Sequence, residues 1–122
     1  MDGSGGYVTT HVLDTSRGQP AAGIAIDIYR LEGAGGRRRL GSATTNADGR
    51  TDAPVIAAAD MAEAEYELVF HVGAYLERVA GSAGGIRFLN VIPIRFGISD
   101  TSQHYHVPLL FSPYGYSTYR GS

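Results

Sequence analysis

The chain has 122 residues, a mass of 12.9 kDa, a formal net charge of -2 and a pI near 6.0, which suits one compact core and excludes the basic surface of a general nucleic-acid binder. Hydrophobic residues make up 43% and charged residues 18%, and no apolar run reaches the roughly 18 residues of a membrane-spanning helix, which excludes a disordered chain and an α-helical membrane protein. Cys and Lys are both absent, all 10 basic residues being Arg, so disulfides, thiolate nucleophiles, cysteine-ligated zinc, Schiff bases and the P-loop lysine are removed at once.

Residues 1–8 read as a flexible lead-in to a single domain over 9–122. MDGSGGY has neither the charged nor the apolar region of a secretory signal, so the expected compartment is the cytoplasm. A strand is expected at 8–14, with Val8, Thr10 and Val12 on one face and Thr9, His11 and Leu13 on the other. RGQP at 17–20 marks a turn, and Ile24, Ile26 and Ile28 alternate along a second strand at 24–31. The basic run Arg37, Arg38 and Arg39 fits a solvated loop or strand edge. Strands are expected at 40–45 and 50–53, on either side of the NADG turn. The Ala-rich stretch 57–65 predicts one or two helical turns, and 74–80 a second short helix stopped by the glycines at 81–85.

Beyond these, Tyr66, Leu68, Phe70 and Val72 alternate with Glu67, Val69 and His71, and Ile92, Ile94, Phe96 and Ile98 share a face opposite Arg95. Two more strands at 105–111 and 114–119 bring the total to about eight, the number of a β-sandwich or small barrel. In HYHVPLLF, His104, His106, Pro108 and Leu110 point one way and Tyr105, Val107, Leu109 and Phe111 the other. A face carrying two histidines and Leu110 is too apolar for plain solvated sheet and suits a groove or a subunit contact. His11 shows a related arrangement on its own strand. His71 has no second signal and reads as structural.

Candidate chemistry falls on few residues. The H-x-H pair could share a zinc ion with His11, a reading ranked below metal-free use, and a chelator separates the two. Arg50 directly follows the NADG corner, where a guanidinium suits a planar carbonyl or anionic heterocycle, with a surface pair to Asp48 or Asp52 as the plain alternative. The tail from Pro113 carries Tyr114, Tyr116, Tyr119 and Arg120, dense enough in aromatics to return to the sheet.

The stretches THVLDTSRGQPAAGI, TNADGR, YELVFHVG, FLNVIPIRFGI and above all HYHVPLLFSPYGYSTYRGS resemble the 5-hydroxyisourate hydrolases of the transthyretin-like protein family. The similarity runs from Thr9 to Ser122, and the terminal YRGS is its most specific mark. It implies an all-β, transthyretin-like (prealbumin-like) Greek-key sandwich of two four-stranded sheets with one short helix. It also implies a homotetramer, a dimer of dimers, with active sites in the channel between dimers. The activity implied is hydrolysis of 5-hydroxyisourate to 2-oxo-4-hydroxy-4-carboxy-5-ureidoimidazoline in urate breakdown, with no cofactor, metal, nucleic acid or membrane involved.

The family's functional positions fall on His11, Arg50, His106 and Ser122 as catalytic residues, with Tyr119, Arg120 and Gly121 joining them in substrate binding. His106 or His11 would activate water while the other orients it or returns the proton. Ser122 would act through its hydroxyl or through the terminal carboxylate. A binding-only carrier on the same fold predicts retention of ligand without turnover.

Overall fold

Alternation of apolar and polar residues sorts the strands into two facing sheets. The computed structural model describes residues 5–121. One sheet has the order β2-β1-β7-β8, from Gln19–Pro20, Val8–Asp14, Tyr105–Ser112 and Gly115–Thr118. The other has the order β4-β3-β5-β6, from Arg37–Thr44, Ala25–Leu31, Ala64–Phe70 and Ile92–Ile98. Every pairing is antiparallel except β1 with β7, which run parallel at the centre of the first sheet. That pairing joins segments 97 residues apart, from Val8↔Tyr105 to Asp14↔Phe111.

The inner faces are those expected from the alternation. Val8, Val12, Leu109 and Phe111 meet Ile26, Tyr66, Leu68, Phe70 and Ile92, all at or below 1% exposure. Each such side chain contributes on the order of 1.5–3 kcal/mol, enough to override weak local preferences. Helix α1, Val72–Ala80, closes one end with Val72, Tyr75 and Leu76 buried and stops at Gly81, whose φ of 82 suits glycine. Buried Asp14 ties the helix to β1: Tyr75 donates to its carboxylate at 2.9 Å, and the Ser16 amide and hydroxyl donate to its other oxygen. Burial and the Asp14 carboxylate push the Tyr75 phenol up to about 12.

Three local expectations differ from the structure. Residues 50–53 form a loop, since that stretch has no alternating apolar side chain to bury and Pro54 removes a ladder donor. The eighth strand is instead the two-residue β2 inside the RGQP turn, paired as Leu13↔Pro20 and Asp14↔Gln19. Stretch 57–65 gives only a 3-10 turn at Ala58–Asp60, because it presents no apolar stripe to the core and a short helix is marginal alone. At the N-terminal side, order begins early. Gly6 donates to the Thr101 carbonyl, and Val8 is fully buried and bonded to Ile56.

The outer face of the second sheet explains two residues. Edge strand β4 carries the arginine run: Arg37 reaches Glu67 at 2.6 Å and Arg39 reaches Asp27 at 3.0 Å. Asp27 also bonds His71 Nε2 at 2.8 Å, which gives His71 a structural partner.

Candidate active site

Parallel pairing of β1 with β7 decides which polar side chains meet. Thr9 lies opposite His106, and His11 opposite Pro108, all on the outward side of the sheet. Thr9 Oγ1 is 2.8 Å from His106 Nδ1 and 3.0 Å from His104 Nε2, so one hydroxyl spans two imidazoles. Tyr7 stacks on the His104 ring with centroids 4.1 Å apart, and the Tyr7 carbonyl accepts the Tyr105 amide.

The TNADGR corner brings in the guanidinium. Asn46 Oδ1 accepts the amides of Asp48 and Arg50, and the Asn46 amide donates to the Arg50 carbonyl at 2.7 Å. Gly49, at φ 75, lets the corner fold against β1, where the Val12 amide donates to the Gly49 carbonyl at 2.8 Å. Arg50 is thereby fixed beside β1. Among the described residues it makes no ion pair with Asp48 or Asp52.

Thr9, Thr10, Arg50, Asp52, Pro54, His104 and His106 line an open hollow of about 410 Å³. Burial holds His106 below the ordinary imidazole value, and the charges of Arg50, His11 and His104 lower it further. His11 is lowered in the same way, by burial first and Arg50 second, while hydrogen bonding to the Asp48 backbone opposes the shift. One guanidinium therefore acts on both imidazoles. Near neutrality both are kept as neutral bases, and Arg50 supplies fixed positive charge next to them.

The tail returns to the sheet by backbone pairing of β8 with β7 and not, as its aromatic content predicts, by packing its rings, since Tyr114, Tyr116 and Tyr119 stay exposed. Gly121 donates its amide to the His106 carbonyl at 2.8 Å, and a Cβ on Gly121 would lie 2.6 Å from His106 Cδ2. Only glycine fits against that ring. Arg120 turns the other way, stacking on Tyr105 at 4.2 Å and donating to Gln103 at 2.8 Å. Tyr119 is largely exposed and, with Arg120, borders a second hollow of about 460 Å³ between β6 and β7. Ser122 lies outside the described residues.

Of the residues singled out from the sequence, His106 and Arg50 share the hollow with His104, His11 stands beside them on β1, and Gly121 covers the His106 ring. Thr9 was missed. Its only signal was membership of the His11 face, and the parallel register that sets it against His106 is a long-range property. Among the described residues no three His, Asp or Glu side chains converge in a group that could hold a metal ion.

Comparison with known proteins gives concordant matches. The model of the HIUase/Transthyretin family matches residues 8–121. 5-Hydroxyisourate hydrolase 2 of Rhizobium meliloti is 54% identical over 117 residues, covering 96% of this chain and 97% of that protein. The structure of Klebsiella pneumoniae 5-hydroxyisourate hydrolase superposes with a TM-score of 0.77 at 37% identity, covering 96% of this chain and 99% of that one. An (S)-allantoin synthase structure gives a TM-score of 0.88 at 41% identity, over 97% of this chain but only 44% of that longer one.

Proposed function

Because the chain belongs to the HIUase/Transthyretin family, we propose that it hydrolyses 5-hydroxyisourate, opening the six-membered ring to 2-oxo-4-hydroxy-4-carboxy-5-ureidoimidazoline. Cleaving a cyclic amide needs an activated water, charge stabilisation at the attacked carbonyl and a proton for the departing nitrogen. His106 takes the proton from water, since it borders the hollow and Thr9 engages its Nδ1, which leaves Nε2 to serve a bound molecule. His11 orients the water or returns the proton. Arg50 binds the carbonyl-rich edge of the ring and offsets the developing negative charge. The observation that carries this assignment is the convergence of Arg50 and His106 on one hollow with His11 beside them on β1, where burial first and Arg50 second hold both imidazoles below their ordinary value.

From the tail, Gly121 and Ser122 join substrate binding, the Gly121 backbone lying against His106, whereas Tyr119 and Arg120, expected to join them, border the separate hollow between β6 and β7. The half-buried Leu13 and Leu110 beside the histidines suit a protein contact, and we assign the enzyme as a cytoplasmic homotetramer that closes its open hollows between subunits. The chemistry is metal-free. The direct test generates 5-hydroxyisourate in situ from urate and follows its ultraviolet signal. The expected result is faster decay with the native protein, unaffected by a chelator. Uncatalysed decay would defeat the enzyme, full activity in both His106→Ala and Arg50→Ala would defeat the site, and activity lost to a chelator and restored by zinc would defeat the metal-free mechanism.

A further inference from the structure

Thr9 enters above only as a partner of His106 Nδ1, yet among the described residues its hydroxyl also reaches His104, bridging both histidines of the H-x-H pair. A hydroxyl has a single proton to donate and lone pairs to accept. Of its two imidazole contacts, at most one is donated by Thr9, so the other is donated by a histidine. Where the Thr9 hydroxyl donates to one imidazole it must accept from the other, so the protonation of His106 Nδ1 and of His104 Nε2 is then linked: one bears hydrogen when the other does not. The geometry is well constrained, because Thr9 is set opposite His106 by the β1–β7 register and His104 is held by the Tyr7 ring.

We propose that Thr9 is a positioning residue that fixes the His106 tautomer and connects His106 to His104 as a proton relay. In the resting state His106 Nδ1–H donates to Thr9 Oγ1, and the Thr9 hydroxyl donates to His104 Nε2. His106 Nε2 then carries the lone pair toward the hollow. When Nε2 removes a proton from the attacking water, the Nδ1 proton passes to Thr9 and the Thr9 proton passes to His104. His106 ends neutral with hydrogen on Nε2, ready to give it to the departing ring nitrogen. His104, which is exposed, holds the extra proton as imidazolium, and when His106 Nε2–H passes to the departing nitrogen the chain runs back: Thr9 returns a proton to His106 Nδ1 and His104 Nε2–H reprotonates Thr9, restoring the resting state. Protons balance at each step, and no second charge builds up on His106 beside Arg50.

The catalytic part of this proposal rests on the hydrolase assignment, whereas the tautomer part does not. The test combines imidazole ¹⁵N spectra with turnover for the native enzyme, Thr9→Val, Thr9→Ser and His104→Ala. The native spectrum is expected to show His106 protonated on Nδ1, Thr9→Val a mixture of tautomers, and Thr9→Ser the native pattern. In turnover, kcat/KM is expected to fall by about tenfold or more in Thr9→Val, to recover in Thr9→Ser, and kcat to fall several-fold in His104→Ala with KM little changed. An unchanged His106 tautomer in Thr9→Val overturns the positioning role, as does a loss that Ser does not rescue. Native kcat in His104→Ala overturns the relay. A native enzyme with no turnover would instead defeat the hydrolase assignment, and the nitrogen spectra would still decide the role of Thr9.

Discussion

Gly49 approaches Val12 so closely that a Cβ on the glycine would stand 2.4 Å from the Val12 carbonyl oxygen. The contact is backbone to backbone, so no side-chain movement can relieve it, and the φ of 75 is itself unfavourable for any L-residue with a Cβ. A non-glycine residue held in such a conformation costs about 1–3 kcal/mol before the clash is counted. Gly49→Ala is expected to lower the thermal midpoint by several degrees and to reduce kcat/KM, because the same corner carries Arg50 to the histidines. A variant with native midpoint and native turnover would show that the corner does not position the guanidinium.

Gly121→Ala separates the tail from the fold. The added methyl would meet the His106 ring, whereas the segment that must move is the chain end rather than the core. Stability should change little. Turnover should fall by about tenfold or more, as expected when a group at the reacting centre is misplaced by around an ångström. Calorimetry and the urate-coupled assay on the same sample check both halves, and undiminished turnover would remove the tail from the site.

Tyr75→Phe tests the buried link between α1 and β1. The Tyr75 hydroxyl donates to Asp14, which is fully buried, so its removal leaves a carboxylate oxygen without that donor. Hydrogen bonds to charged groups contribute about 1.5–3 kcal/mol, and the thermal midpoint should drop by roughly 5–15 °C. The pair lies away from the histidines, so kcat/KM at a temperature where the variant is folded should match the native value. A midpoint within a degree of native would mean the carboxylate finds another donor.

Much of this arrangement is legible along the sequence because it depends on period-2 burial. The core faces of β1, β3, β5, β6 and β7 follow directly from alternation, and so does the outward placing of His11 and His106. What alternation does not carry is the identity of the neighbouring strand. Thr9 acquires its place only through the parallel pairing with His106, and Glu67 becomes buried on an outer face only because Arg37 and Arg95 close over it from two other strands. The strand expected at 50–53 fails for a related reason. Those residues are organised by the Asn46 side chain, which bonds Asp52 and the Arg50 amide, and not by burial.

Burial and, second to it, the field of Arg50 set the pH behaviour. His11 and His106 are each lowered first by burial and second by Arg50, and His106 is further opposed by His11 and His104. Removing the guanidinium in Arg50→Met relieves repulsion of the imidazolium forms. Both midpoints should therefore rise toward, without reaching, the ordinary value of about 6.5, since burial remains. Titrating the histidine Cε1–H signals in native and variant protein measures this, and identical midpoints would exclude electrostatic coupling. The same shifts predict stability. Unfolded imidazoles bind protons near pH 6.5 and the folded ones only at lower pH, so the native fold loses stability as pH falls from about 6.5 through the lowered midpoints. That loss should be smaller in Arg50→Met. For turnover, a neutral base implies an acid limb below about pH 6.5 and a plateau near neutrality, with the limb displaced to higher pH in the variant even though its plateau is lower. A limb that stays in place while the His106 midpoint moves would transfer the role of base to a different group.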